Sequence, residues 1–136
     1  RQLRHCRAAE AGAPIAGLCD WLERDASSPM RRFTKKGADV DSVIDFRAVF
    51  QQNHRDLRLE KMPGFLLPAK GKLGLRDYEK MFCPDLKTGP DIYNLRGIDR
   101  ERGCLLIVRP DQYVAHVLPF DARKELADYF AAFMLG

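Results

Sequence analysis

The chain has 136 residues, with 23 Lys+Arg against 19 Asp+Glu, three His and four Cys. That length suits one domain around a single core, and 46% apolar against 31% charged residues describes an ordinary globular chain rather than a disordered one. The longest apolar run, Cys104-Leu105-Leu106-Ile107-Val108, is of strand length, well short of the ~18–20 residues of a membrane helix, so no membrane partner is expected.

The net charge of +4 is unevenly placed. Residues 1–36 carry eight Lys/Arg and four acids, and the remainder is neutral. Phosphate neutralisation could use such a segment, but no aromatic residues alternate with the basic ones to stack on bases. A solvated basic face is the expectation, with no nucleic-acid partner. The start, Arg1-Gln2-Leu3-Arg4-His5-Cys6-Arg7, is polar, and no secretory apolar stretch follows it. Cys6, Cys19, Cys83 and Cys104 form no C-x-x-C pair, as zinc or dithiol chemistry would want. Reduced thiols in a cytoplasmic protein are expected. The lack of an initiator Met suggests a piece of a longer polypeptide.

The first helix is predicted over residues 14–24, where Ile15, Leu18, Cys19 and Leu22 form one apolar stripe and Pro14 suits the first turn. Ser27-Ser28-Pro29 breaks it. Residues 42–51 alternate as a strand: Ile44, Phe46, Ala48 and Phe50 point one way, with Val43 and Val49 on the other face. Residues 54–61 are highly charged and read as a short helix or a loop. Phe65-Leu66-Leu67 is a short apolar run, residues 70–75 a glycine-containing turn, 78–83 a short strand and 84–90 a loop. Residues 92–96 read as one helical turn stopped at Gly97.

The clearest stretch comes last. Residues 104–108 and 113–118 are two apolar strands joined by the turn Arg109-Pro110-Asp111-Gln112, an antiparallel hairpin. Simple alternation sets Tyr113, Ala115 and Val117 against Val114, His116 and Leu118. Asp121 is placed to cap a closing helix over 122–135, with Leu126, Tyr129, Phe130, Phe133 and Met134 facing the core. Helices interleaved with a mixed sheet give an α/β class.

No catalytic, cofactor-binding or metal-binding residues can be assigned. There is no G-x-G-x-x-G, no phosphate loop and no close histidine pair; His5, His54 and His116 lie far apart in sequence. His116 has no local nucleophile or carboxylate to make it a base.

Several strings nonetheless match a known family: Ser28-Pro29-Met30-Arg31-Arg32-Phe33-Thr34, Asp41-Ser42-Val43-Ile44-Asp45, Leu75-Arg76-Asp77-Tyr78-Glu79-Lys80, Leu95-Arg96-Gly97-Ile98-Asp99 and Val108-Arg109-Pro110-Asp111-Gln112-Tyr113-Val114. From about Leu18 to Leu135 the chain resembles the C-terminal domain of FAD-dependent aromatic hydroxylases of the phenol 2-monooxygenase and 3-hydroxybenzoate 4-monooxygenase type, with the 3-hydroxybenzoate branch nearer. The resemblance implies a thioredoxin-like fold without its redox dithiol, and a role in dimerisation. It places FAD, NADPH and substrate chemistry in upstream domains, so no cofactor is expected in this chain. The implied partners are a second copy or the parent enzyme's flavin and substrate domains. The family places a strand before the first helix, whereas residues 1–13 are polar. The reading therefore divides the chain into a polar segment 1–13 and a domain 14–136. It allows for a sheet that lacks its opening strand and exposes an edge or groove to another chain. The competing function is a free-standing thiol redox enzyme using Cys104 or Cys19, a reading that rests on fold analogy alone.

Overall fold

The computed structural model describes residues 2–6, 13–50, 58, 62–83, 92–99 and 102–134. Seven strands and four helices follow in the order β1 (Gln2–Cys6), α1 (Ala13–Arg24), α2 (Pro29–Phe33), β2 (Asp45–Val49), β3 (Ala69–Lys70), β4 (Leu75–Arg76), β5 (Met81–Phe82), α3 (Ile92–Arg96), β6 (Cys104–Val108), β7 (Val114–Pro119) and α4 (Arg123–Ala131), with a 3-10 turn at Gly64–Leu66. Five strands make one mixed sheet in the order β5-β2-β1-β6-β7, and β3-β4 form a separate small hairpin. This is the α/β class that the sequence pattern predicts.

The opening strand is present, and it sits in the middle of the sheet. β1 runs parallel to β2, with Leu3 opposite Phe46 and His5 opposite Ala48, and antiparallel to β6, with Leu3 opposite Ile107. A sheet lacking its first strand is therefore not what forms. The physical reason is that a central strand can be specified by main-chain bonds to two neighbours. Five residues, Gln-Leu-Arg-His-Cys, are too few and too polar to show an alternating pattern, and strand preference follows context more than composition.

One face of the sheet carries the main core. Ile15, Leu18, Cys19 and Leu22 of α1 pack with Phe46 and Ala48 of β2, Leu105 and Ile107 of β6, and Leu126 and Phe130 of α4. The Ser-Pro break after α1 does more than end a helix. Ser28 is buried, donates its hydroxyl to the Leu22 carbonyl at 2.7 Å and caps α2, whose first residue is Pro29. A second short helix thus starts where the sequence reading sees only a loop, and it buries Met30 and Phe33 in the same core.

The closing helix starts one residue later and ends sooner than its pattern suggests. Ala122 is the N-cap and no side chain caps it. Asp121 contributes its backbone carbonyl to the Arg123 N–H at 2.8 Å, so the expected Asp121 cap is replaced by a tight turn from Pro119. Leu126 and Phe130 are fully buried. Tyr129 and Met134 pack at the core's edge, while Phe133 is 42% exposed, its ring meeting those of Tyr129 and Phe130. The regions 84–90 and, apart from Arg58, 54–61 lie outside the described residues.

Since Phe130 is wholly enclosed, Phe130→Ala should destabilise the fold by about 3–5 kcal/mol, measured by urea denaturation; a loss below about 1 kcal/mol would mean that α4 does not close the core.

Candidate functional site

Among the described residues, the sheet's second face has far less cover. Val49 and Tyr93 form a small buried cluster there, with Ile98, Cys104 and Leu106 packed against it. Tyr93, on α3, donates its hydroxyl to the Val49 carbonyl at 2.8 Å and so pins the five-residue helix to β2. Gly97, with φ of 62°, ends α3 in the left-handed conformation that favours glycine. α3 does not reach the β6-β7 end. There a groove of about 500 Å³ opens between α3 and the hairpin. Its apolar lining comes from Val49, Ile98, Leu106, Val108, Val114 and Val117, and Arg96, Asp99 and Gln112 supply polar atoms.

A bulge in β7 decides which side chains reach this groove. Leu106 pairs with Val117 and Ile107 with His116, but Val108 pairs with Val114, leaving Ala115 as the extra residue. The alternation resets at that point. Val114 and Val117, which strict alternation would send to opposite faces, both line the groove and stand 48% and 54% exposed. His116 turns to the helical face and stacks on Tyr129 with ring centres 5.5 Å apart. The turn that feeds β7 also departs from the simplest reading: Gln112 takes a left-handed φ of 70° after the Pro110-Asp111 corner, a longer hairpin connection than a plain type I turn.

Comparison with known proteins places this arrangement. Residues 5–136 match the family model of the phenol hydroxylase C-terminal dimerisation domain. The chain belongs to this family. It is 54% identical over 127 residues, 93% of its length, to a 3-hydroxybenzoate 4-monooxygenase of Comamonas testosteroni. It is 32% identical over 109 residues, 78% of its length, to the FAD-dependent monooxygenase terD of Aspergillus terreus (strain NIH 2624 / FGSC A1156). It spans only about a fifth of each relative, 20% and 18% of their lengths.

Two of the strings that carried the family likeness meet in the dimerisation domain at a buried ion cluster. Lys80 is 4% exposed, and its Nζ lies 2.7 Å from Asp41, 2.5 Å from Asp45 and 3.4 Å from Asp77. Lys70 joins at 2.5 Å from Asp41 and 3.4 Å from Asp77. Burial alone would lift the Asp41 carboxyl, but hydrogen bonds from Lys70 and Lys80 outweigh it and hold the group below the usual carboxylate range. Burial likewise opposes, and is outweighed by, the Glu79 N–H and the Lys80 and Lys70 charges at Asp77. For Lys80 burial works against the ammonium, yet Asp41 and Asp45 hold its pKa above the ordinary lysine value. The cluster ties the small β3-β4 hairpin and β5 to the start of β2. Spacing could not reveal it, because Asp41 and Lys80 are brought together only by the fold.

The candidate thiols are not brought together. Cys19 lies in the helical core and Cys104 packs with the cluster on the opposite face. Burial, helped by the nearby Glu23 charge, pushes the Cys19 thiol up to about 12, and burial also raises Cys83. A thiolate nucleophile needs the reverse shift. Among the described residues, no group of three or more His, Cys, Asp or Glu is arranged to hold a metal ion, and no helix is long and apolar enough to cross a membrane.

These shifts fix a pH window. The lowered Asp41 and Asp77 add stability above their unfolded value of 3.8, and this is lost as pH falls below it through their depressed folded values. The raised Lys80 adds stability below 10.5, whereas Cys19 costs stability once pH exceeds the unfolded thiol value of 9.0. The urea midpoint should be flat from about pH 5 to 8 and fall on both sides; a midpoint unchanged at pH 3 would contradict the cluster. Lys80→Met should cost up to about 3 kcal/mol at neutral pH by removing the buried charge that Asp41, Asp45 and Asp77 share, leaving Lys70 on Asp41 and Asp77 and Arg47 on Asp45. That penalty should shrink on acidification, when the carboxylates become neutral. Cys19 should resist a thiol reagent at pH 8 until the chain unfolds, and rapid labelling of Cys19 in the native protein would refute its placement.

Proposed function

We propose that this chain is the self-associating C-terminal part of an FAD-dependent aromatic hydroxylase, a phenol or 3-hydroxybenzoate monooxygenase, and that it takes no direct part in the chemistry. The observation that carries this reading is the match to a dimerisation domain over residues 5–136, joined to an apolar sheet face left open at β6-β7. FAD, NADPH and substrate would then be handled by other domains of a cytoplasmic parent enzyme, with this chain binding no cofactor. The fold we infer is thioredoxin-like. What supports it is the order β2-β1-β6-β7, with β1 parallel to β2, β6 antiparallel to β1, and a final hairpin followed by α4. The raised Cys19 thiol, and its separation from Cys104 on the opposite face of the sheet, speak against the thiol redox alternative.

Light scattering on the isolated chain at ~100 μM should give a dimer, since a stable homodimer buries upwards of ~1,000 Å² and needs no cofactor to hold it. The same sample should be colourless after incubation with FAD and gel filtration. A strict monomer would remove the self-association reading, and a yellow protein would move flavin binding into this chain.

A further inference from the structure

We propose that the second copy docks face to face on the groove side of the β6-β7 hairpin, with Val114 and Val117 of each copy seated in the groove of the other. This deepens the self-association reading above and rests on it. Three observations carry the choice of face and occupant.

First, the patch contains both halves of a contact. A two-fold interface brings the same surface to itself, so one patch must offer both projecting groups and a recess to take them. Val114 and Val117 project beside a recess of about 500 Å³ walled by Leu106, Val108 and Ile98. The bulge at Ala115 is what puts both valines on that side.

Second, the polar rim carries both signs. Arg96 and Asp99 line the same groove. A second copy turned by half a rotation can set acid against base on each side of the axis, whereas a partner of one sign would meet repulsion at one of them.

Third, the geometry disfavours the other way of using β7. It is the last strand of the sheet, and an edge strand can extend a sheet by pairing with another chain. The bulge interrupts its regular ladder and Pro119 ends it. Both features blunt in-plane pairing. They leave the face as the apolar surface at this end of the molecule.

The exposed leucines of the β3-β4 hairpin provide the internal comparison. Leu73 is 84% exposed, at the other small sheet, and plays no part in this contact. Sedimentation equilibrium on the full 136-residue chain should be run with wild type, Val117→Asp and Leu73→Asp, with circular dichroism checking the fold. Val117→Asp should weaken the dimer by roughly 100-fold or more, as expected for a charge placed at the centre of an apolar contact. Leu73→Asp should leave the dissociation constant within about twofold, the size of a change outside a contact. If Val117→Asp fails to fold, Val117→Ser serves instead and should weaken the dimer about tenfold. A dimeric wild type that Val117→Asp or Val117→Ser leaves intact overturns this face and spares the self-association reading. A dimer broken by Leu73→Asp moves the contact to the β3-β4 hairpin. A wild type that stays monomeric overturns both, and binding of a separately produced flavin domain in its place would assign the groove to that domain.

Discussion

Among the described residues, helix covers one face of the mixed sheet far more fully than the other. α1 and α4 close the first face over a continuous apolar core, with α2 filling the gap between them. Among the described residues, the second face is covered by the five residues of α3, held in place by the Tyr93 hydroxyl on a β2 carbonyl. Much of what is distinctive in the molecule follows from that imbalance. β6 must be apolar on both faces, and its residues Leu105, Ile107 and Val108 are all buried. β7 is the last strand of the sheet, and its bulge sets Val114 and Val117 on the same face. A surface of that kind marks an interaction site more often than it is left in water.

The ion cluster at Lys80 solves a different problem. Among the described residues between β2 and β5, regular structure amounts to a 3-10 turn and a two-by-two-residue hairpin. Such short strands have little stability of their own. Lys80 and Lys70, with Asp77 beside them in this stretch, meet Asp41 ahead of β2 and Asp45 at its start, and fix where β5 lies against β2. Buried ion pairs are a weak source of net stability, because desolvation offsets their attraction, but losing one partner is costly. The cluster is therefore best understood as a device for position. It keeps the sheet's β5 edge in register while the opposite end, at β7, carries the exposed contact surface.

How much of this was legible in the sequence depends on how local the cause was. The α1 stripe, the strand from Asp45 to Val49, the stop at Gly97 and the final hairpin all follow from periodicity and turn chemistry within a few residues, and they stand in the structure. α2 was legible too, since Ser28-Pro29 is a cap followed by a first-turn proline, although the sequence reading gave it only as a break. β1 was not legible, because its strand character comes from neighbours dozens of residues away. The bulge was hidden for the same reason: nothing in Tyr113-Val114-Ala115-His116-Val117 marks Ala115 as the residue without a partner, so the two valines were assigned to opposite faces. The Asp121 cap failed because Pro119 already sets the turn into α4. The ion cluster joins residues up to 39 positions apart and has no local signature. The family resemblance reached further than the residues alone, since it pointed to dimerisation before any surface could be seen.

On the face-to-face arrangement, the β6-β7 surface is water-exposed in the free chain and covered in the associated one. Amide hydrogen exchange followed across a dilution series, read at peptides spanning Val114–Pro119 and α3, distinguishes the two states. Protection of those peptides should rise with concentration in step with dimer formation, while peptides from α1 and the β3-β4 hairpin stay constant. Concentration-independent exchange at β7 alongside a dimer demonstrated by mass, or protection that appears only at the β3-β4 hairpin, would contradict that arrangement.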